Sequence, residues 1–311
     1  MTSEAALTAA ARRAGRAPSS FGQKLALFAA DVKISHTVFA MPWALLAAVL
    51  ASHQTGGPII GKLALILLCM VTARTVAMAA NRLLDARLDA QNPRTASRAI
   101  PSGALAGRFY ITILLSCAAA FFSSTFLFYV LYRNPWPAVL SLPVLAYITA
   151  YPLMKRFTRL CHYYLGAALG LAPVCAYLAV AGRLTVEPIL MAGAVLCWTA
   201  GFDIIYACQD YTSDLETGVV SVPAKVGIAR ALWIARLTHI VSAALLIVLG
   251  WVSFELSTLY FVGVACAIAL LIIEHAVVKP TDLSRVNLAF FTLNGIISLL
   301  LGTLGILDVL F

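Results

Sequence analysis

Residues 59–89 read IIGKLALILLCMVTARTVAMAANRLLDARLD, an apolar run from 59 to 80 that passes directly into Asn81-Arg82-Leu83-Leu84-Asp85-Ala86-Arg87-Leu88-Asp89. About 20 apolar residues carry a helix across the hydrocarbon core of a bilayer, so this run predicts a membrane span with a charged end at the interface. Comparable windows fall at 36–53, 109–131, 136–152, 163–181, 188–208, 230–251, 256–277 and 287–308. Gly56-Gly57-Pro58, Asn134-Pro135, Gly182 and Lys279-Pro280 supply turn signals between them. A lipid-facing backbone must satisfy its hydrogen bonds within each segment. The pattern therefore predicts an all-α integral membrane fold of nine transmembrane helices.

Composition agrees. Hydrophobic residues make up 62% of the 311 even without the 19 glycines, against about 45–50% with glycine counted in soluble domains. Charged residues are 11%, too few to solvate the surface of a soluble globule this size. Disorder, a secreted disulfide scaffold and nucleic-acid binding as the meaning of the +9 charge are excluded; the bilayer is the expected partner. The seven cysteines lie in or beside apolar stretches without a CxxC pair, which reads as structural thiols.

Orientation follows from the basic residues. Of the 22 Lys and Arg, Lys62, Arg133 and Arg183 fall in the loops of one side and Arg74 lies within the second window. The others lie in the N-terminal tail or in and beside the loops of the opposite side, which predicts a cytoplasmic amino terminus and, for a bacterial chain, the inner membrane. Residues 1–34 read as a cytosolic tail, in which Phe21, Leu25, Leu27 and Phe28 with Lys24 and Lys33 predict an interfacial helix over 21–34. Residues 35–311 form the nine-helix domain.

Two acidic segments lie on that predicted cytoplasmic side. Asn81, Asp85 and Asp89 recur every four residues, one stripe of a helix with about 5–6 Å between neighbouring Cβ atoms. Asp203, Asp210 and Asp214, seven and four residues apart, also predict a single helical face, near Tyr206. Like charges at such spacing repel, so the arrangement asks for a compensating cation. Oxygen ligands without His or Cys favour Mg2+, which binds through one or two carboxylates, waters and substrate phosphate oxygens. Asp85, Asp89, Asp210 and Asp214 are the expected metal ligands. Either segment alone also reads as juxtamembrane acids balancing Arg82, Arg87 and Arg94; two on one side point to a site. Arg94, Arg98 and Lys155 are candidate phosphate donors. Arg74, about two turns inside its window and on one face with 78, 81 and 85, is a functional candidate because an intramembrane cation is costly.

At these residues the chain resembles the UbiA superfamily of intramembrane prenyltransferases. The resemblance rests on Asn81-Arg82-x-x-Asp85-x-x-x-Asp89, on Asn92-Pro93-Arg94-Thr95-Ala96-Ser97-Arg98 with Pro101-Ser102-Gly103, on Tyr151-Pro152-Leu153-Met154-Lys155-Arg156-Phe157-Thr158, and on Asp203-x-x-Tyr206-x-x-x-Asp210-x-x-x-Asp214. It implies a nine-helix bundle around a central cavity, two aspartate-rich segments that hold Mg2+ and a polyprenyl diphosphate, and commonly an aromatic acceptor such as 4-hydroxybenzoate. The Arg-Thr and Tyr-Pro-x-x-Lys-Arg runs resemble the aromatic-acid enzymes of ubiquinone and menaquinone biosynthesis. Two departures bear on the acceptor: Ala99 follows Arg98 where many members have Pro, and Val220 precedes Ser221 where many 4-hydroxybenzoate enzymes have Lys. His36-Thr37-Val38-Phe39-Ala40-Met41-Pro42 and residues 218–225 are closer to futalosine-route members, which prenylate a dihydroxynaphthoate.

The expected chemistry assigns Asp85, Asp89, Asp203, Asp210 and Asp214 to catalysis. Asn81, Arg94, Arg98, Lys155 and Tyr206 bind diphosphate, and Arg74 binds the acceptor carboxylate. Either Asp203 or the released diphosphate takes the ring proton. Phe39, Trp43, Tyr147, Phe202 and Tyr206 are candidates for the cavity wall, roofed by residues 90–108. Prenylation of a haem or chlorin ring and a cation transporter are the alternatives.

Overall fold

The structure, a computed structural model, describes residues 20–33 and 39–311. Residues 1–19 of the tail and residues 34–38, which include His36-Thr37-Val38 of the first window and of the resemblance, lie outside the described residues.

The tail helix α1 (Phe21–Asp31) opens on a reciprocal cap in which Ser20 Oγ accepts Gln23 N–H and Gln23 Oε1 accepts Ser20 N–H. Its exposed face carries Phe21 and Leu25, while Phe28 is buried beside Tyr110 at a ring separation of 5.0 Å. The second helix, α2 (Met41–Thr55), starts at Pro42 and stops at Gly56, whose φ of 66° is the left-handed conformation of a helix end. At 15 residues it is about 22 Å long, short of the ~30 Å hydrocarbon core. Trp43, Ala44, Leu46, Ala47, Ala48 and Leu50 are all buried. It is an interior helix.

The long helices are α3 (Ile60–Gln91), α4 (Gly107–Tyr132), α5 (Trp136–Met154), α6 (Cys161–Ala181) and α7 (Val186–Ala207). After the short α8 (Tyr211–Thr217) and α9 (Val222–Val226) come α10 (Ile228–Val252), α11 (Thr258–Val277) and α12 (Asn294–Leu310). Eight segments among the described residues are long and apolar enough to cross a membrane, counting 186–217 and 288–310 as one each. With α2, every apolar window of the sequence corresponds to a helix, and the molecule is an all-α integral membrane protein.

Burial places α7 at the centre: more than half of the residues in the most apolar stretch of 186–217 are buried, against about one in six in that of α5. Small residues let backbones approach in a membrane, where no hydrophobic force separates helix from lipid. Gly166 and Gly170 of α6 do this against α7, since a Cβ on either would come within 2.3 Å of Leu196 O or 2.7 Å of Ala192 O. This close packing brings the first turn of α6 to the last third of α7, where the second acidic segment begins.

Two stretches read as regular helix are not. Residues 288–293 form a π-turn ahead of α12. Asn294 supports it: its Nδ2 donates to Ala289 O at 3.1 Å and to Glu274 Oε1 at 2.9 Å, and its Oδ1 accepts Trp198 Nε1 at 2.6 Å. The turn sets Phe290 on Tyr206, ring centres 4.2 Å apart. Cys208–Asp210 is a 3-10 turn between α7 and α8, so Asp203, Asp210 and Asp214 do not share the single unbroken α-helical face that their spacing predicts. The tighter winding redirects Asp210 relative to Asp203.

Candidate active site

The first acidic segment lies on α3, which continues as unbroken helix to Gln91. Asp85 and Asp89 are buried. Both meet cations from other elements. Lys155, just past α5, reaches Asp85 Oδ2 at 2.6 Å, and Arg98 reaches both oxygens of Asp89 at 2.7 Å. Asn81 Nδ2 also donates to Asp85 Oδ2, at 3.1 Å.

The second segment is bound by the loop that follows α3. Arg94 forks onto Asp210, with Nε to Oδ1 at 2.8 Å and Nη2 to Oδ2 at 2.5 Å, and its Nη1 donates to Tyr206 OH at 2.9 Å. Asn92 Nδ2 adds 2.9 Å to Asp210 Oδ1. Burial works against the Arg94 charge, but its hydrogen bond to Asp210, with help from Tyr206, outweighs that and raises its pKa above the ordinary arginine value. Asp214 has a neutral partner, Ser221 Oγ at 2.7 Å. Val220 N–H donates to Lys155 O at 2.7 Å, fastening residues 218–221 to the end of α5. Residues 92–106 thus form a cap that spans both acidic segments.

Asp203 stands apart. Its Oδ2 meets His162 Nδ1 at 2.7 Å, and His162 Nε2 receives Val222 N–H at 3.2 Å. A nitrogen that accepts carries no proton, so His162 holds its proton on Nδ1 and donates it to Asp203. His162 was not singled out from the sequence; a lone histidine at the head of an apolar window carries no pattern.

Beneath the acids lies a cavity of about 350 Å³ with an almost wholly apolar wall. It reaches from Asn81 and Tyr151 at the acidic end to Phe128, Pro137 and Ala179. Along α3 its lining runs from Asn81 back to Ile66, about 22 Å at 1.5 Å per residue. Arg74 lines it, donating from Nη2 to Lys33 O at 3.0 Å. No carboxylate is among the described lining residues. Of the expected aromatic wall, Phe39 and Phe202 are present. The other three are engaged elsewhere: Trp43 packs on Trp198, Tyr147 stacks on Tyr164, and Tyr206 lies against Phe290.

Among the described residues no three acidic, His or Cys side chains converge as a ready metal cage. Asp85, Asp89 and Asp210 are neutralised by Lys155, Arg98 and Arg94 instead. A divalent ion fits the donor set through one feature: Asp85 Oδ1 is buried without a hydrogen-bond partner, with Arg156 Nη2 no closer than 3.9 Å. A buried carboxylate oxygen in that state costs well over the 1–3 kcal/mol of a neutral group, a cost that a bound cation removes.

The UbiA prenyltransferase family pattern matches residues 40–296. The chain belongs to the UbiA prenyltransferase family. It is 34% identical over 226 residues to a 4-hydroxybenzoate octaprenyltransferase of Cronobacter sakazakii, covering 71% of this chain and 74% of that one. Its fold matches an apo UbiA homologue from Aeropyrum pernix with a TM-score of 0.78 at 30% identity, over 88% of this chain and 98% of the other. A UbiA homologue from Archaeoglobus fulgidus, bound to DMAPP and Mg2+, shares the fold with a TM-score of 0.69 at 18% identity, over 91% and 98% of the two chains. The molecule is a membrane prenyltransferase.

Proposed function

We propose that this UbiA enzyme transfers a polyprenyl group from polyprenyl diphosphate to an aromatic acid, 4-hydroxybenzoate or a dihydroxynaphthoate, in quinone biosynthesis, with its acidic end facing the cytoplasm. The observation that carries this reading is the apolar cavity opening at Asn81 directly below the acid and base cluster. The two chemistries suit a long hydrocarbon chain and a diphosphate head.

Asp85, Asp89, Asp210 and Asp214 are the residues that would hold Mg2+. When bound, Mg2+ supplies positive charge to the diphosphate as it leaves. Lys155, Arg98 and Arg94 exchange their carboxylate partners for diphosphate oxygens, and Asn81 and Tyr206 orient that head. The guanidinium forks of Arg94 and Arg98 match phosphate geometry as they match carboxylates. The cap 92–106 and the apolar wall exclude water while the allylic carbon is electron-poor. Arg74 holds the acceptor carboxylate below the head, so that the ring carbon ortho to the phenol faces that carbon. The new C–C bond forms as the C–O bond to diphosphate breaks, and the ring proton passes to Asp203 or to the released diphosphate. His162 orients Asp203.

The sequence alternative of a cation transporter asks for acids along a path through the bundle. The acids of the two segments gather at one end of the bundle, and the described cavity lining carries a cation instead.

The deciding experiment incubates membranes containing the enzyme with labelled geranyl diphosphate and Mg2+, offering 4-hydroxybenzoate and 1,4-dihydroxy-6-naphthoate in parallel. Metal-dependent prenylation of one acceptor is expected and selects the pathway. Folded protein that prenylates neither would overturn the aromatic-acid reading.

A further inference from the structure

Helix α1 ends on Asp31, which holds groups from three other elements. Its Oδ2 accepts Arg82 Nε at 3.0 Å and Tyr110 OH at 2.6 Å; its Oδ1 accepts Ala99 N–H of the cap at 3.0 Å. Its backbone carbonyl accepts Arg82 Nη2 at 2.6 Å. The Asp31 and Arg82 side chains are 7% and 4% exposed. From Arg82 the chain of contacts continues inward. Arg82 Nη1 donates to Asn81 Oδ1 at 3.0 Å, which turns the Asn81 amide so that Nδ2 faces Asp85 Oδ2.

We propose that Asp31 is a positioning residue for prenyl transfer: through Arg82 it fixes the Asn81 amide against Asp85, and through Ala99 it anchors the cap, so the tail helix completes the diphosphate site. This rests on the prenyl-transfer reading above.

The state of Arg82 without its partner decides the geometry of the site. Arg82 lies three and seven residues from Asp85 and Asp89 on α3, within reach of the same face. A buried guanidinium cannot stay unpaired. The Asp31 carboxylate holds Nε and the Asp31 backbone carbonyl holds Nη2; without that carboxylate the other carboxylate acting on Arg82 is Asp89, assigned to the metal. Arg82 then turns toward Asp89 in competition with Arg98, the Asn81 amide loses its fixed orientation, and the cap loses its Ala99 anchor. Docking of α1 has independent support: Phe28 and Val32 are buried in a cluster with Ala79, Leu105 and Tyr110. A buried ion pair contributes little net stability compared with such apolar packing. Positional control is what the pair adds.

The test uses the full chain in nanodiscs and measures Mg2+-dependent binding of the unreactive donor geranyl S-thiolodiphosphate by calorimetry, beside donor and acceptor KM. Asp31→Asn is expected to weaken analogue binding about tenfold and raise the Mg2+ requirement, leaving acceptor KM unchanged. Combined with Asn81→Ala, it should lose less than the two single losses multiplied, because the Arg82 route runs through that amide while only the Ala99 anchor acts apart from it. Asp31→Glu, which keeps the charge, should recover part of the loss. Binding by Asp31→Asn within twofold of the parent, or losses that multiply in the double variant, would overturn the proposal. If Asp31→Asn does not fold, Tyr110→Phe removes one hydrogen bond to the same carboxylate. About threefold weaker binding, again non-additive with Asn81→Ala, is then expected, and additivity overturns the proposal. A parent enzyme that fails to bind the analogue with Mg2+ overturns the prenyl-transfer reading itself, a result visible before any variant is made.

Discussion

The two acidic segments solve the same electrostatic problem in opposite ways. On α3 the carboxylates Asp85 and Asp89 sit four residues apart on continuous helix, buried, each against a cation brought from elsewhere. After α7 the helix is interrupted at Cys208–Asp210; Asp203 faces a histidine, Asp210 an arginine fork and Asp214 a hydroxyl. A rigid stripe of like charges needs cations with enough reach to meet it, and Lys155 and Arg98 provide them. A broken segment can aim each carboxylate at a different partner, so neutral groups suffice for two of them, the imidazole of His162 and the hydroxyl of Ser221. The first segment is thus the stiff half of the site and the second the adjustable half.

The strongest way to break the comparison is to remove charge from the stiff half. Asp85→Asn keeps the shape and discards the carboxylate whose Oδ1 has no partner. Turnover should fall about 10³-fold, the scale of losing a principal electrostatic group. Lys155 remains 24% exposed and able to find water, so the unfolding temperature should stay close to that of the parent. Retained activity would remove Asp85 from the metal set. Asp210→Asn tests the adjustable half. It should cost about 10²-fold in kcat, and because it halves the Arg94 anchor it should also speed hydrogen exchange across residues 92–106. No change in cap exchange would separate Asp210 from cap closure.

Much of this difference could be read before the structure, and what could not has identifiable causes. The membrane fold, the spacing of Asn81, Asp85 and Asp89 and the basic run at Lys155 are local patterns, so periodicity and composition expose them. The kink at Cys208–Asp210 carries no glycine or proline, and the sequence reads through it as helix. The π-turn at 288–293 is supported by Asn294 reaching Glu274 and Trp198, contacts set by tertiary packing. His162 and Asp31 act across 41 and 51 residues of chain, on Asp203 and Arg82. A single aspartate at the end of an amphipathic helix has no local signature for that task. The Mg2+ reading shows the same limit: spacing points to a cation, while in the structure Lys155, Arg98 and Arg94 already neutralise Asp85, Asp89 and Asp210.

Below the acids, Arg74 offers a smaller and more selective test. Among the described residues it is the cation of the cavity wall, and its Nη2 donates to the backbone carbonyl of Lys33. Arg74→Ala should raise acceptor KM about tenfold and leave donor KM nearly unchanged, because uniform binding to one substrate is lost. The reverse pattern would move Arg74 to the donor.

The finest test lies at Ser221, where a neutral group does what cations do on α3. Its hydroxyl donates to Asp214 at 2.7 Å and also accepts Ala224 N–H at 3.3 Å as the cap of α9. Ser221→Ala therefore removes two interactions with separable consequences. The lost cap should cost about 1 kcal/mol of stability. The freed Asp214 carboxylate should lower kcat only a few-fold, since a segment already aimed by its broken helix keeps Asp214 near its place. Ser221→Thr retains both hydrogen bonds and should restore both quantities. If Ser221→Ala instead loses as much activity as Asp210→Asn, the second segment is as tightly specified as the first, and its freedom is only apparent.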